Sequence, residues 1–363
     1  MRRAPLKYFL LFTVVIISMA LCLRPKGPIP YTLTYPAYFG HRTNIAYDNP
    51  LTVEGVQLGR KLFYETKLSK NNAISCASCH QQSHAFTDGR RFSPGFDGTP
   101  TKRNSMSLAN LLWVQNFFWD GRATSLEAQA VTPLTDPHEM GQSLETSLQK
   151  LLDDPQYPPL FLAAFNTTYP TPAHLIKALT QFERTLISSN SRYDRYIRGE
   201  IQLTPEEQRG LTLFFGPATN FPPATTRVRS AGCANCHGGP RTFNETYHNN
   251  GLDTEAKDSG RADVTHKDYD LGRFRVVTLR NIALTAPYMH DGRFNTLAEV
   301  IDHYSEHLQS SPTLSPTLRD TANKPINLYL TGQEKADLLA FLNILTDSTF
   351  IMDRRFADPQ TDK

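Results

Sequence analysis

Two pentapeptides, Cys76-Ala77-Ser78-Cys79-His80 and Cys233-Ala234-Asn235-Cys236-His237, hold four of the chain's five cysteines. Cys-x-x-Cys-His offers a porphyrin two thiols for thioether bonds and, beside them, an imidazole for its iron, so each run reads as a covalent c-type haem site. Paired Cys-x-x-Cys also occurs in zinc knuckles, and each pair could close a disulfide. A four-cysteine zinc site leaves both histidines without a task and requires the two runs to meet in space. Disulfides within Cys-x-x-Cys are redox-labile rather than structural.

The elements that must position these runs are mostly helical. At 363 residues the chain has room for two domains, each with its own core. A net charge of +3 with 20% charged residues gives neither a nucleic-acid groove nor a disordered tail. Twenty-five prolines and 20 glycines imply long, turn-rich connections, as expected of protein wrapped around large planar cofactors. Periodicity predicts helices over Val53–Tyr64, with Thr52 as N-cap, and over Ala173–Ile187. Thr204, Pro205 and Glu207 form a capping-box start, and a last helix runs from about Gln333 to Leu345. Few stretches alternate as strands do. At the N-terminus Arg2, Arg3 and Lys7 precede an apolar run from Tyr8 to Leu23, with Ser18-Met19-Ala20 as a small-x-small site. Residues 1–25 therefore read as a secretory signal or an uncleaved membrane anchor, and Cys22 at its end is a weak lipidation candidate. Either way the body is exported, and the periplasm is the expected location.

The two halves also resemble each other. Leu51-Thr52-x-Glu54 and Gly59-x-x-Leu62-Phe63 precede the first cysteine run; Leu203-Thr204-x-Glu206 and Gly210-x-x-Leu213-Phe214 precede the second. After each run comes an Arg-Asn pair, Arg103-Asn104 and Arg280-Asn281, read here as equivalent. Each half then has an aromatic stretch ending in Asp-Gly-Arg, at Asp120 and Asp291, followed by Ser125-Leu126 or Thr296-Leu297. The expected fold is mainly α: two cytochrome c-like haem domains related by an internal repeat, with long irregular loops. The domains are residues 26–195 and 196–363, with a seam near 190–203. Thirteen residues beyond Asp291 stands Tyr304; thirteen beyond Asp120 stands Pro133, which cannot ligate iron. One haem is expected to be capped and the other open. An open iron can bind a small oxidant, whereas a capped one only passes electrons.

These stretches, together with Phe86-Thr87-Asp88-Gly89, Phe118-Trp119-Asp120-Gly121-Arg122 and Thr285-Ala286-Pro287-Tyr288-Met289-His290-Asp291-Gly292, resemble the bacterial di-haem cytochrome c peroxidase family from about Leu51 to Phe350. The resemblance implies two covalent haems c, with His80 and His237 as proximal ligands. It implies a peroxide-reacting N-terminal haem and a C-terminal haem fed by a small donor protein, a cytochrome c or cupredoxin. Glu139 and Gln129 fall where the family places acid/base and polar groups over the open iron; Glu139 alone would read as a solvated loop carboxylate. Trp119 matches an aromatic between the haems, although the bare sequence favours a core residue. Asn104, Thr285 and Pro287 match ligands of a calcium ion between the domains, the latter two through backbone carbonyls. Family members often dimerise, so a homodimer is a further expectation.

Two positions depart from the usual pattern. Sixteen residues after His80, where members carry a histidine that caps the peroxide haem, stands Phe96; fourteen after His290, where they carry methionine, stands Tyr304. A phenolate in place of a thioether stabilises ferric iron and lowers the potential. Both departures resemble the MauG-like branch, whose haems share oxidising equivalents and can oxidise residues of a partner protein. Met289, His290 and His303 compete with Tyr304 as iron ligands, while His84 reads as a surface or propionate-contacting residue. Three functions follow. The leading one is peroxidase action with electrons from a small redox protein. The others are MauG-like oxidation of a partner protein and plain electron carriage with both irons capped.

Overall fold

Residues 27–216 and 230–360 are described by the structure, a computed structural model. The expected signal or anchor at 1–25 lies outside them. None of the described helices is long and apolar enough to cross a membrane.

Eight described helices have nine or more residues: α1 (Val53–Phe63), α2 (Leu126–Thr135), α3 (Leu144–Leu152), α4 (Tyr157–Phe165), α5 (Pro172–Glu183), α6 (Pro205–Phe215), α7 (Leu297–Glu306) and α8 (Gly332–Asn343). The described sheet is one antiparallel pair, β1 (Tyr247–His248) and β2 (Phe274–Arg275), with Tyr247 opposite Arg275. Local chemistry sets the helix starts. The Thr52 side chain accepts from Gly55 N–H, and Thr204 and Thr331 form capping boxes with Glu207 and Glu334. The helices α5 and α8 stop at Glu183 and Asn343, short of the expected Ile187 and Leu345. The chain tightens there into shorter turns, with Leu186 N–H bonded to Glu183 O and Leu345 N–H to Leu342 O. Leu186 and Leu345 stay fully buried, so the apolar period outruns the helix.

Several contacts occur twice. The first and last long helices of each half cross at a glycine: a Cβ on Gly59 would lie 1.9 Å from Ala178 O, and one on Gly210 would lie 1.9 Å from Asp337 O. Asn110 and Asn281 both adopt left-handed backbone (φ 63° and 61°) ahead of a short 3-10 turn. Their N–H groups bond Leu186 O at 2.8 Å and Leu345 O at 3.0 Å. This corrects the expected pairing of Arg103-Asn104 with Arg280-Asn281. The partner of Asn281 is Asn110, because both occupy the left-handed corner that receives the end of the last helix. Asn104 instead lies outside any helix or strand and bonds across to the other half. The buried apolar residues form two clusters, one running from Phe39 to Leu186 with Phe243, Val276, Phe350 and Phe356, the other from Tyr193 to Leu345. The C-terminal segment thus returns to the first cluster, where Phe350 packs on Phe86.

Where the clusters meet, each half grips the Asp-Gly-Arg loop of the other. Asn104 N–H donates to His290 O at 2.8 Å, and Arg275 N–H donates to Trp119 O at 2.7 Å. Arg91 Nε reaches Asp291 O, and an Arg261 guanidinium N–H reaches Asp120 O. Arg103 forks onto Asp258 (2.7 Å to each oxygen) and also bonds Asp120, so one guanidinium ties both halves together.

Candidate active site

The four cysteines of the two runs are free thiols, and no described cluster of three or more His, Cys, Asp or Glu side chains could hold a metal ion. The runs therefore build neither a shared four-cysteine zinc site nor disulfides. Each is instead shaped to aim an imidazole. Cys76–Cys79 is one helical turn, started by Ser75, whose N–H bonds Ser78 Oγ. Ala85 and Phe86 then take left-handed backbone (φ 50° and 63°), which turns Phe86 O onto His80 Nδ1 at 2.8 Å. In the second run His237 Nδ1 lies 3.1 Å from Val277 O and 3.3 Å from Thr242 O, and Thr242 is again left-handed (φ 60°). Left-handed backbone at non-glycine residues costs about 1–3 kcal/mol each and persists where the surroundings impose it. In both runs the Nδ1–H donates to a carbonyl, leaving Nε2 for an iron.

A cavity of about 330 Å³ opens on Cys233, Cys236 and His237. Tyr304, Met289 and His290 also line it, as do Trp119, Asn104, Thr285 and Pro287 at the seam. Tyr304 is the eighth residue of α7, and Pro133 holds the eighth position of α2. The two residues counted from Asp-Gly-Arg thus hold the same position in their helices. Burial pushes the Tyr304 hydroxyl up to about 12, and Asn250 Nδ2 lies 3.4 Å from its oxygen and 3.3 Å from Met289 Sδ. His303 is a poor competitor, because its Nε2 is 2.9 Å from Asn250 O and its ring packs near Phe294, away from the cavity wall. His290 stacks on Phe274 with centroids 3.7 Å apart and meets the Trp119 ring edge-on at 6.5 Å. Trp119 Nε1 donates to Asn104 O at 2.9 Å. The Asn104 amide donates to Arg90 O, leaving its Oδ1 without a donor among the described residues.

The residues expected over the first iron lie outside that cavity. Gln129 sits on α2 with its Oε1 buried and unpartnered among the described residues. Glu139 follows α2 in a loop; burial raises its carboxyl above the ordinary range, with Asp136 adding to the rise and Arg122 opposing it. Glu139 is near enough to Cys76 and Cys79 to act on both thiols electrostatically. Phe96 lies against this loop, its N–H bonded to Glu139 O at 2.8 Å and its ring beside Gly141 and Lys70. His84 is exposed. Sequence reasoning missed Glu183, the last residue of α5. It is buried with Oε2 unpartnered among the described residues, burial pushes its carboxyl up to about 8, and it acts on Cys76. The available signal was an acid inside an apolar helical face, between Phe182 and the Arg184 that is spent on Glu127.

A model of the di-haem cytochrome c peroxidase family matches residues 53–202. The chain is 37% identical to methylamine utilization protein MauG of Methylorubrum extorquens over 301 residues, 82% of this chain and 79% of that one. It is 35% identical to cytochrome c551 peroxidase of Nitrosomonas europaea over 265 residues, 70% of this chain and 73% of the relative. Among solved structures, a MauG-like protein associated with microbial copper homeostasis superposes with a TM-score of 0.81 at 39% identity, covering 91% of this chain and 99% of that one.

Proposed function

The chain belongs to the di-haem cytochrome c peroxidase family, including its MauG-like branch, and from that premise we propose that it is an exported peroxidase. It reduces hydrogen peroxide beside His80 with electrons that a small redox protein delivers to the second site, in the periplasm. The family implies two c-type haems, and the free thiols with their aimed imidazoles fit that group. When bound, haem supplies the iron that receives peroxide and the redox equivalents. We read each half as one cytochrome c-like domain.

The observation that carries the reading is the difference at the eighth position of α2 and α7, proline in one and tyrosine in the other. Proline leaves the first site to small molecules; Tyr304 is the proposed second axial ligand beside His237. Glu139 would take a proton from one peroxide oxygen and return it to the other, and its raised carboxyl suits a group that must do both. Gln129, with an unused buried oxygen, would hold the hydroxyl end of peroxide or a water. Trp119, between the seam carbonyls and the second cavity, would relay electrons. The Asn104 Oδ1 with the carbonyls of Thr285 and Pro287 is an all-oxygen set for a calcium ion.

The resting ferric protein is expected to show one high-spin and one low-spin haem, with cyanide perturbing only the first. Glu139→Gln should slow the peroxide reaction by roughly 10²–10⁴-fold with both haems retained; an unaltered rate returns Glu139 to the loop surface. Two low-spin haems unmoved by cyanide would make the chain an electron carrier. The tyrosine and the likeness to MauG favour a second reading, oxidation of a partner protein. Steady turnover with a reduced small cytochrome selects the peroxidase. No turnover, with a long-lived two-equivalent oxidised protein, selects the partner oxidase.

A further inference from the structure

Arg275 and Glu183 are buried, and neither is in an ion pair among the described residues. Arg275 lines the second cavity and donates its Nε to Phe118 O at 3.2 Å. Glu183 ends α5 in the first half, and the contacts that occur twice place what it faces. A Cβ on Gly59 would meet Ala178 O and the Phe182 Cβ; one on Gly210 would meet Asp337 O and the Phe341 Cβ. Asn110 N–H then takes Leu186 O, and Asn281 N–H takes Leu345 O. These contacts fix one register, with Ala178 on Asp337, Phe182 on Phe341 and Leu186 on Leu345. In that register the counterpart of Glu183 is Leu342. Leu338 and Leu342 line the second cavity with Cys233 and His237. Leu179 and Glu183 accordingly face the first haem site, and Glu183 is near enough to Cys76 to act on its sulfur. Where the second half sets an apolar side chain against its cofactor site, the first half sets a carboxyl.

The charged groups around that carboxyl have other tasks. Arg184, next in the chain, bonds both oxygens of Glu127 on α2 and the Asn44 side chain. On α1, Glu54 accepts the Ile29 N–H, Arg60 Nε donates to Ala357 O, and Lys61 lies over the Tyr157 ring of α4. On α3, Lys150 bonds Ser69 O and the Asn72 side chain, while Glu145 is exposed. Burial therefore dominates and favours the neutral acid, with Glu127 aiding and Arg184 opposing. A positive iron nearby pulls the other way, and more strongly when ferric than when ferrous. We propose that Glu183 is a proton site linked to the first haem: its carboxylate takes one proton from water when one electron from the small redox protein reduces ferric iron to ferrous, and releases it when the iron is reoxidised. The link lets the first site gain an electron without leaving an uncompensated charge in the interior. Leu342 gives the second site no such group.

The inference rests on the reading of two haems, which pyridine haemochrome counting of the wild-type protein tests by itself. Fewer than two haems sinks that reading and the inference with it. Given two haems, spectroelectrochemistry from about pH 6 to about pH 9 should show the first haem's potential falling as pH rises through the range where Glu183 ionises. In Glu183→Gln that fall should shrink: the variant matches wild type at the acid end and lies above it at the alkaline end, where wild type holds a carboxylate that favours ferric iron. The second haem's curve should be the same in both proteins. Redox-difference infrared spectra of the wild type should show a protonated carboxyl band that grows as the first haem is reduced and is missing from the variant. Should Glu183→Gln fail to assemble, Glu183→Leu, which copies the second half, supplies both comparisons. An equal pH slope in wild type and an assembled variant, or no carboxyl band that follows the first haem, overturns the proposal and leaves Glu183 a buried acid that keeps its proton.

Discussion

Tyr304 shows how much one residue can carry. Its hydroxyl, pushed up to about 12 by burial, has an amide nitrogen for company and, among the described residues, no base to take its proton. Iron at the distance of a ligand would supply the missing charge and draw the phenolate out. Tyr304→Phe is therefore expected to alter the low-spin spectrum, and Tyr304→Met to raise that haem's potential, read by redox titration. Spectra and potential unchanged in both variants would move the ligand to Met289 or His290, which share the cavity wall. The tyrosine was legible in the sequence because it keeps its count from Asp-Gly-Arg, a local register. The isolation of Arg275 and of the Glu183 carboxyl was not, since it depends on what other chain segments fail to offer them.

At the scale of elements, the pairing of α1 with α5 and of α6 with α8 turns on two glycines. A methyl group at Gly210 would sit 1.9 Å from a backbone oxygen of α8, which cannot move without its helix. Gly210→Ala should destabilise the second half by roughly 1–3 kcal/mol, outweighing the helix propensity gained, about 1 kcal/mol. Gly332→Ala, in the same packed pair but with nothing within 4 Å, should be neutral or slightly stabilising. Differential scanning calorimetry of the two variants checks this; equal melting temperatures would mean that α6 and α8 do not pack this closely. Helix starts were readable in advance because caps are local, as at Thr52 and Thr204. The ends of α5 and α8 were not, because Asn110 and Asn281 draw the carbonyls of Leu186 and Leu345 from far along the chain.

At the scale of the molecule, most buried charge among the described residues is answered across the fold or neutralised, with Arg275 the exception. Arg103, Arg184 and Arg280 are answered by carboxylates distant in sequence. Glu183 is neutralised: burial, opposed by Arg184 and aided by Glu127, pushes it up from 4.5 to about 8. An acid whose folded pKa lies above its unfolded value contributes stability in full below the unfolded pKa and loses it as pH rises through the folded one. The wild-type melting temperature should therefore fall from about pH 5 to about pH 8 relative to Glu183→Gln, which lacks this slope. Parallel melting curves across that range would show that the Glu183 carboxyl is paired in the assembled protein.

By itself the sequence determined the chemistry whose parts are contiguous: two Cys-x-x-Cys-His anchors, the caps, and the count that sets Tyr304 against Pro133. Covalent attachment and capping act over a few residues, so spacing alone reports them. Only the tertiary structure decided which asparagine is the partner of Asn281, how Trp119 meets His290, and where the unanswered charge of Arg275 lies. Each of these depends on which distant segments meet at the seam, and on burial, which makes a missing partner costly only once the chain has closed around it.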